Sequence, residues 1–409
     1  MWIRLRLDIG WLDLARAFTY CLIPGQRSPI MQQAMQSWSP HNDFLITLSV
    51  RSAFDLLLRA LQLPKGSEVL LSALTVPDMA RIVELHGLIP VPIDTDEAGN
   101  IDSRSIARVI SSQSRVIVIA HLFGGWTDLT EVIDLAQRNN LLVVEDCAQS
   151  FSRVGESAHQ SADAAMFSFG PIKTATALGG GIVRIKSPEL RERMTHLLES
   201  DPLQSRLSFV QRVARFAAIK MLSGERTSAL LKYCMESVGL DFDSMANTMV
   251  RGFASSNLLR QLRRQPSTPL LRLLRRRWLS YDFTRIKSRT DMGRYLDLSL
   301  GYAHASAHSF WVYPIFVRNP NEVCGRLRAA GFDATCQARM TVVSPTNKLN
   351  QPVLAASMWK HVIFLPWYPD IPQQAVEKMA SLIRPSDLIG HEDFSLEIEY
   401  LSHPVPEDG

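Results

Sequence analysis

Between about residues 45 and 190 the chain alternates two patterns. Short apolar runs at 68–71, 89–93, 116–119 and 141–144 have the length and branched side chains of buried strands. Longer stretches at 53–62, 78–86 and 129–139 repeat apolar residues every third or fourth position and predict amphipathic helices. Strand–helix–strand alternation requires right-handed crossovers, hence an α/β fold with a mainly parallel sheet and helices on both faces. From about 200 to 290 the pattern becomes helical and basic. Strands then return at 310–317 and 362–366, each followed by a helix, at 321–330 and 373–383. The expected organisation is a large α/β/α domain over 1–200, a basic helical connection over 201–290 and a smaller α+β domain over 291–409.

Composition adds bounds. The chain has 409 residues, 46% hydrophobic and 21% charged, enough for two or three domains with a large core. Its five cysteines are odd in number and widely spaced with no CxxC pair, so neither a disulfide framework nor a metal site is expected. Charges interrupt the N-terminal stretch 1–8, which does not read as a signal peptide, and no apolar run reaches membrane-spanning length. A cytoplasmic location is expected.

The candidate chemistry centres on Lys173, within Phe167-Ser168-Phe169-Gly170-Pro171-Ile172-Lys173 and followed by Gly179-Gly180-Gly181. Upstream, Glu145-Asp146-Cys147-Ala148-Gln149 follows a strand, where ligands gather in parallel sheets. A lysine able to form a Schiff base and an acid able to face a pyridinium nitrogen are the two main groups that hold pyridoxal phosphate. Ser49-Val50-Arg51-Ser52, ahead of a helix, and Ser168 offer a phosphate site. Each feature alone has a plainer reading: a solvated lysine, an aspartate or serine capping a helix, a glycine turn. Their order and spacing carry the assignment.

Together these motifs resemble the DegT/StrS-type family of sugar aminotransferases, a branch of the fold-type-I pyridoxal-phosphate enzymes. The resemblance runs from about 48 to 385 and is best over 49–185. Ser49–Phe54 looks like the family's phosphate turn. Lys65-Gly66-Ser67-Glu68-Val69 looks like its PGDEV, His121-Leu122-Phe123-Gly124 like its HLYG, and Glu145–Gln149 like its EDAAQ. The resemblance implies a large and a small domain, Lys173 as Schiff base and proton shuttle, Asp146 on the pyridinium, Gln149 near the ring hydroxyl, and Ser168, Arg51 and Ser52 on the phosphate. Val76 falls where the family places an aromatic that covers the ring. Asn247 falls where an asparagine reaches the phosphate of the partner subunit, which implies a homodimer. The implied reaction moves an amino group from an amino acid, glutamate in this family, to a keto acceptor, typically a nucleotide-linked keto-sugar of polysaccharide biosynthesis. The chain departs from the family at Val50-Arg51, at Val76 and at Thr174–Leu178. Those departures keep two alternatives open: a non-catalytic adaptor on the same fold, and a different reaction of the same coenzyme on a lipid-linked substrate.

Between 257 and 278 stand seven arginines and no acid, against a net charge of +4 for the whole chain. Leu270, Leu271, Leu274 and Trp278 share one helical face. Either these helices pack on the body of the protein and the arginines form a rim, or residues 209–278 touch an anionic membrane surface. Nucleic acid is not an expected partner, because the charge comes with no recognition motif.

Overall fold

The computed structural model describes residues 1–4, 6–41, 43–96, 99–155, 158–224, 257–304, 308–336, 340–345, 350–390 and 394. The helices, in chain order, are α1 (Trp11–Leu22), α2 (Arg27–Trp38), α3 (Val50–Leu61), α4 (Pro77–Leu85), α5 (Ser103–Val109), α6 (Thr130–Arg138) and α7 (Pro188–Ser200). They continue with α8 (Arg206–Leu222), α9 (Leu258–Leu262), α10 (Thr268–Ser280), α11 (Thr284–Leu300), α12 (Pro320–Ala329), α13 (Val353–His361) and α14 (Gln373–Ser381). The strands of the main sheet are β1 (Phe44–Thr47), β2 (Glu68–Ser72), β4 (Ile89–Ile93), β5 (Ser114–Ala120), β6 (Leu142–Asp146), β7 (Ala164–Ser168) and β8 (Gly181–Ile185). Their order is β1-β8-β7-β6-β5-β2-β4. β2 pairs in parallel with β4 and β5, and β6 with β7, whereas β8 runs antiparallel to both β7 and β1. β3 (Leu74–Thr75) pairs with β11 (Thr341–Val342), and β9 (Tyr313–Phe316), β10 (Thr335–Cys336) and β12 (Val362–Leu365) form a small antiparallel sheet. The α/β class and the strands expected from the apolar runs are therefore present, each close to its predicted position.

By contacts the chain divides into two units, one of residues 1–64 and 144–288, the other of 65–143 and 289–409. In the second unit, Phe316, Met358, Val362, Phe364, Ile389 and Phe394 form a buried cluster. In the first, the sheet carries an aromatic cluster. Phe167 and Phe169 flank Ser168 in sequence and are fully buried with Trp38, Phe151 and Trp278 around them. Side chains alternate across a strand, so the aromatics fill one side of β7 and its continuation while Ser168 lies on the other.

The basic segment is largely wiring. Leu270, Leu271, Leu274 and Trp278 of α10 are all buried, against α1, α2 and the aromatic cluster, so the apolar face considered for membrane contact is spent inside the unit. Arg277 is itself buried and bonds the Asp13 carboxylate at 2.5 Å, the Asp8 carbonyl at 2.6 Å and the Thr176 carbonyl at 3.0 Å. Arg276 reaches Asp13 at 2.6 Å, and Arg272 bonds the carbonyls of Ile23 and Pro24. Arg263 makes two 3.1 Å bonds to Asp55, a carboxylate buried in the middle of α3. A buried carboxylate is tolerated only with such partners.

Candidate active site

Three neighbouring chain segments build the site. β7 ends at Ser168, which stands opposite Gly181 at the start of β8, and Gly181 in turn stands opposite Thr47 at the end of β1. Beyond β1, Ser49 caps α3 by accepting from the Ser52 amide at 3.1 Å, and the two serine hydroxyls lie 3.0 Å apart. The α3 N-terminus, with its partial positive charge, thus opens beside Ser168. The glycines do more than turn the chain. A β-carbon on Gly181 would stand 2.7 Å from Ser49 C and Val50 N, both backbone atoms. Gly181→Ala should force β8 and the start of α3 apart, costing about 1–3 kcal/mol and weakening phosphate binding. Denaturant unfolding together with titration by pyridoxal phosphate checks both.

The segment 170–179 that carries Lys173 is tied at both ends to Phe169. The Lys173 amide bonds Gly170 O at 3.1 Å, and the amides of Ala177 and Gly179 both bond Phe169 O, at 3.1 and 3.0 Å. Thr176 Oγ1 donates to Phe169 O and accepts from the Leu178 amide. Two arginines from distant helices pin the same segment: Arg277 of α10 on Thr176 O and Arg212 of α8 on Leu178 O. Ala175 and Leu178 hold positive φ of 53° and 62°, a left-handed conformation that these outside bonds help to maintain.

Lys173 keeps some accessible surface, yet enough protein surrounds it that desolvation lowers its pKa to about 7. Asp146 opposes that shift and Arg51 adds to it. Asp146 and Arg51 therefore both act on the Lys173 amine. Arg212 is lowered to about 10 by burial, with Arg215 and Arg51 as further causes, so it adds to the positive field over the α3 N-terminus. The rate at which the apoprotein takes up pyridoxal phosphate should rise with pH to an inflection near 7, as the amine loses its proton. Asp146→Asn removes the charge that favours the ammonium and should move the inflection down. Arg51→Met should move it up. Stopped-flow absorbance across pH measures all three.

Of the residues expected from sequence, Lys173, Asp146, Arg51, Ser52 and Ser168 come together in this way. Asp146 ends β6, paired with Met166 of β7, and its carboxylate accepts from the Ala148 amide at 3.0 Å. Gln149 follows it in the same turn, half-buried. Val76 is half-buried at the N-cap of α4, in the second unit. Asn247 lies outside the described residues. Arg212 and Arg277 were not singled out as site residues, since nothing near them in the chain marks a bond to a segment 34 or 101 residues away. These groups fit pyridoxal phosphate: an amine that is half neutral near pH 7, an acid acting on it, and a serine-lined helix N-terminus in a field of guanidinium groups.

Comparison with known proteins agrees. Residues 22–211 match the model of the DegT/DnrJ/EryC1/StrS aminotransferase family, so the resemblance read from the motifs holds over that stretch. The chain is 31% identical over 147 residues to the GDP-perosamine synthase of Escherichia coli O157:H7, covering 35% of this chain and 40% of that one. It is 31% identical over 206 residues to the UDP-N-acetyl-3-dehydro-alpha-D-glucosamine 3-aminotransferase of Acidithiobacillus ferrooxidans, covering 46% and 56%. The chain thus matches only about half, or less, of these relatives' length. The fold extends further: the sugar aminotransferase CalS13 of Micromonospora echinospora superposes with a TM-score of 0.66 at 18% identity, over 93% of this chain and 99% of that one.

Proposed function

We propose that this protein is a pyridoxal-phosphate-dependent aminotransferase that transfers an amino group from an amino acid, glutamate by family resemblance, to a nucleotide-linked keto-sugar. The observation that carries the reading is the meeting of Ser168, Lys173 and the Ser49-capped start of α3 at the adjoining ends of β7, β8 and β1, with Asp146 and Arg51 acting on the lysine amine. The sugar acceptor rests on the names of the relatives, which act on GDP-, UDP- and dTDP-linked sugars.

When bound, the coenzyme supplies the electron sink that makes a donor's α-proton labile. The chain's residues do the rest. Lys173 Nζ, neutral in half the molecules near pH 7, can bond the aldehyde and, once released, take and return a proton. The Asp146 carboxylate favours a protonated ring nitrogen, and Gln149 serves the ring hydroxyl. The start of α3, Ser52, Ser168 and Arg51 would hold the phosphate, charge-assisted in the case of Arg51. The family resemblance points to a homodimer and assigns Asn247 to the phosphate of the partner subunit's coenzyme. No described helix is long and apolar enough to cross a membrane. By family resemblance we place the protein in the cytoplasm.

The test is the visible spectrum of the purified, coenzyme-loaded protein before and after L-glutamate. Bleaching of the lysine-linked band to the amine form, with 2-oxoglutarate released, supports the reading. A band that no amino acid alters sinks it in favour of an adaptor.

A further inference from the structure

The cysteines are widely spaced in the chain, yet the second unit brings two of them together. Cys324 Sγ and Cys336 Sγ lie 3.2 Å apart although twelve residues separate them. Cys324 stands on the inward face of α12 with Val323 and Leu327, all three buried. The chain then reverses at Gly331, whose φ of 91° lies in the left-handed region that suits glycine. It returns through the buried Phe332 and Ala334 into β10, where Cys336 pairs with Ile363 of β12. Backbone bonds fasten this reversal. The Gly331 and Phe332 amides donate to Arg328 O and Leu327 O, each at 3.0 Å, and Arg328 Nε donates to Ala334 O at 2.8 Å. Asn321 and Cys324 are three apart and so share one face of α12. Cys336 Sγ meets both, at 3.8 Å from Asn321 Oδ1. Helix, turn and strand thus hold the two sulfurs face to face, and a bond length of about 2.05 Å asks for an approach of only about 1.1 Å.

The two thiols are not equivalent. Cys324 is 2% exposed, whereas Cys336 is half-buried on β10, an edge strand of the small sheet. The other described cysteines, Cys21 and Cys147, are buried in the first unit. Burial pushes the Cys21 thiol up, which leaves little thiolate to react.

We propose that Cys324 and Cys336 form a peroxide-responsive pair, thiols at rest and a disulfide once they have reduced a hydroperoxide. Cys336 meets the oxidant. Its thiolate sulfur attacks one peroxide oxygen, the O–O bond breaks, and the departing oxygen takes up a proton, leaving a sulfenic acid on Cys336. Cys324 Sγ then attacks that sulfur. The S–S bond forms, the S–O bond breaks, and the leaving hydroxide takes the Cys324 proton and departs as water. In all, two thiols give up two electrons and two protons, and hydrogen peroxide becomes two waters. The cross-link ties α12 to the two-residue strand β10 and closes a loop in the unfolded chain, so the oxidised form should unfold at higher denaturant. A bond that thiol reductants reopen suits a reducing compartment, where disulfides are transient. No residue assigned to the coenzyme takes part, so the pair stands apart from the transamination reading.

The experiment treats the full-length, coenzyme-loaded protein with a slight excess of hydrogen peroxide, blocks the remaining thiols with N-ethylmaleimide in denaturant and maps tryptic peptides by mass. Peptides 319–326 and 329–339 each hold one of the two cysteines. They should lose their maleimide adducts and appear joined, about 2 Da lighter than their sum, from a chain that runs as a monomer on a non-reducing gel. Dithiothreitol should restore both adducts. After the same treatment Cys336→Ser should leave Cys324 fully alkylated, and Cys324→Ser should leave a Cys336 sulfenic acid that dimedone traps. The denaturant midpoint should rise on oxidation of the wild type and stay unchanged in Cys336→Ser. Both thiols still alkylated after peroxide overturns the proposal, as does a linkage found only between chains. Conversion of wild-type Cys336 to its sulfinic acid with Cys324 untouched also overturns it, because the second thiol then fails to resolve the first. The half-reaction with L-glutamate, run on untreated protein, tests the aminotransferase assignment separately.

Discussion

Lys173→Ala should leave a folded protein that gives no lysine-linked visible band with pyridoxal phosphate and moves amino groups from L-glutamate about 10²–10⁴-fold more slowly. Burial lowers the pKa of the lysine amine to about 7, which suits the roles of nucleophile and base proposed for it. Lys173→Arg separates these roles from charge alone. A guanidinium stays protonated and cannot attack an aldehyde, so this variant should be as inactive as the alanine one although it keeps the positive charge. Stability should move the opposite way. The folded-state pKa lies below the unfolded value of 10.5, so burying the ammonium opposes folding. That penalty is full below about pH 7, declines as pH rises, and is gone above 10.5. Lys173→Ala removes it, and should raise the unfolding midpoint most at pH 6 to 7 and not at all near pH 10.5. A loss of stability at neutral pH would show that the lysine is not desolvated. Denaturant titrations at several pH values, with absorbance for the band, measure both effects.

Trp278→Ala should cost about 3–5 kcal/mol of stability, the range for removing a large buried aromatic. Trp278 is 3% exposed and packs edge-on against Trp38 at 5.4 Å and Phe169 at 5.4 Å between ring centroids. The loss should not stop at stability. Phe169 O receives the amides of Ala177 and Gly179, so a cavity beside the Phe169 ring loosens the segment that holds Lys173. Weaker coenzyme retention should accompany the lower unfolding midpoint. Trp278→Phe keeps an aromatic in the cluster and should recover most of both. Equal damage from the two substitutions would mean that the indole is needed for more than packing.

The site was legible in the sequence because its chemistry is local. Lys173 with its glycines, Asp146 with Gln149, and Ser49 to Ser52 are each contained in a few consecutive residues, set by a strand end or a helix start. Their convergence follows from parallel topology, which gathers the ends of neighbouring strands. The alternation of apolar runs with amphipathic stretches likewise determined the α/β class, since a period of two or of 3.6 residues fixes which face is buried. The roles of the arginines were not legible. Seven of them in one short stretch read as the rim of packed helices or as a membrane surface, and only packing showed that Arg263 answers the buried Asp55, that Arg276 and Arg277 answer Asp13, and that Arg277 and the more distant Arg212 hold the lysine segment. Which apolar side chains stay exposed was hidden for the same reason, Leu22 at 81% and Met221 at 62% among them. Leu22 and Met221 are as apolar as Leu14 and Phe216, and which of them meet water depends on which neighbour the fold brings up. Sequence by itself determined the fold class and the chemical groups of the candidate site. Tertiary structure decided the partner of each buried charge and the side of each helix left in water, because long-range pairing is a matter of three-dimensional packing that no local pattern encodes.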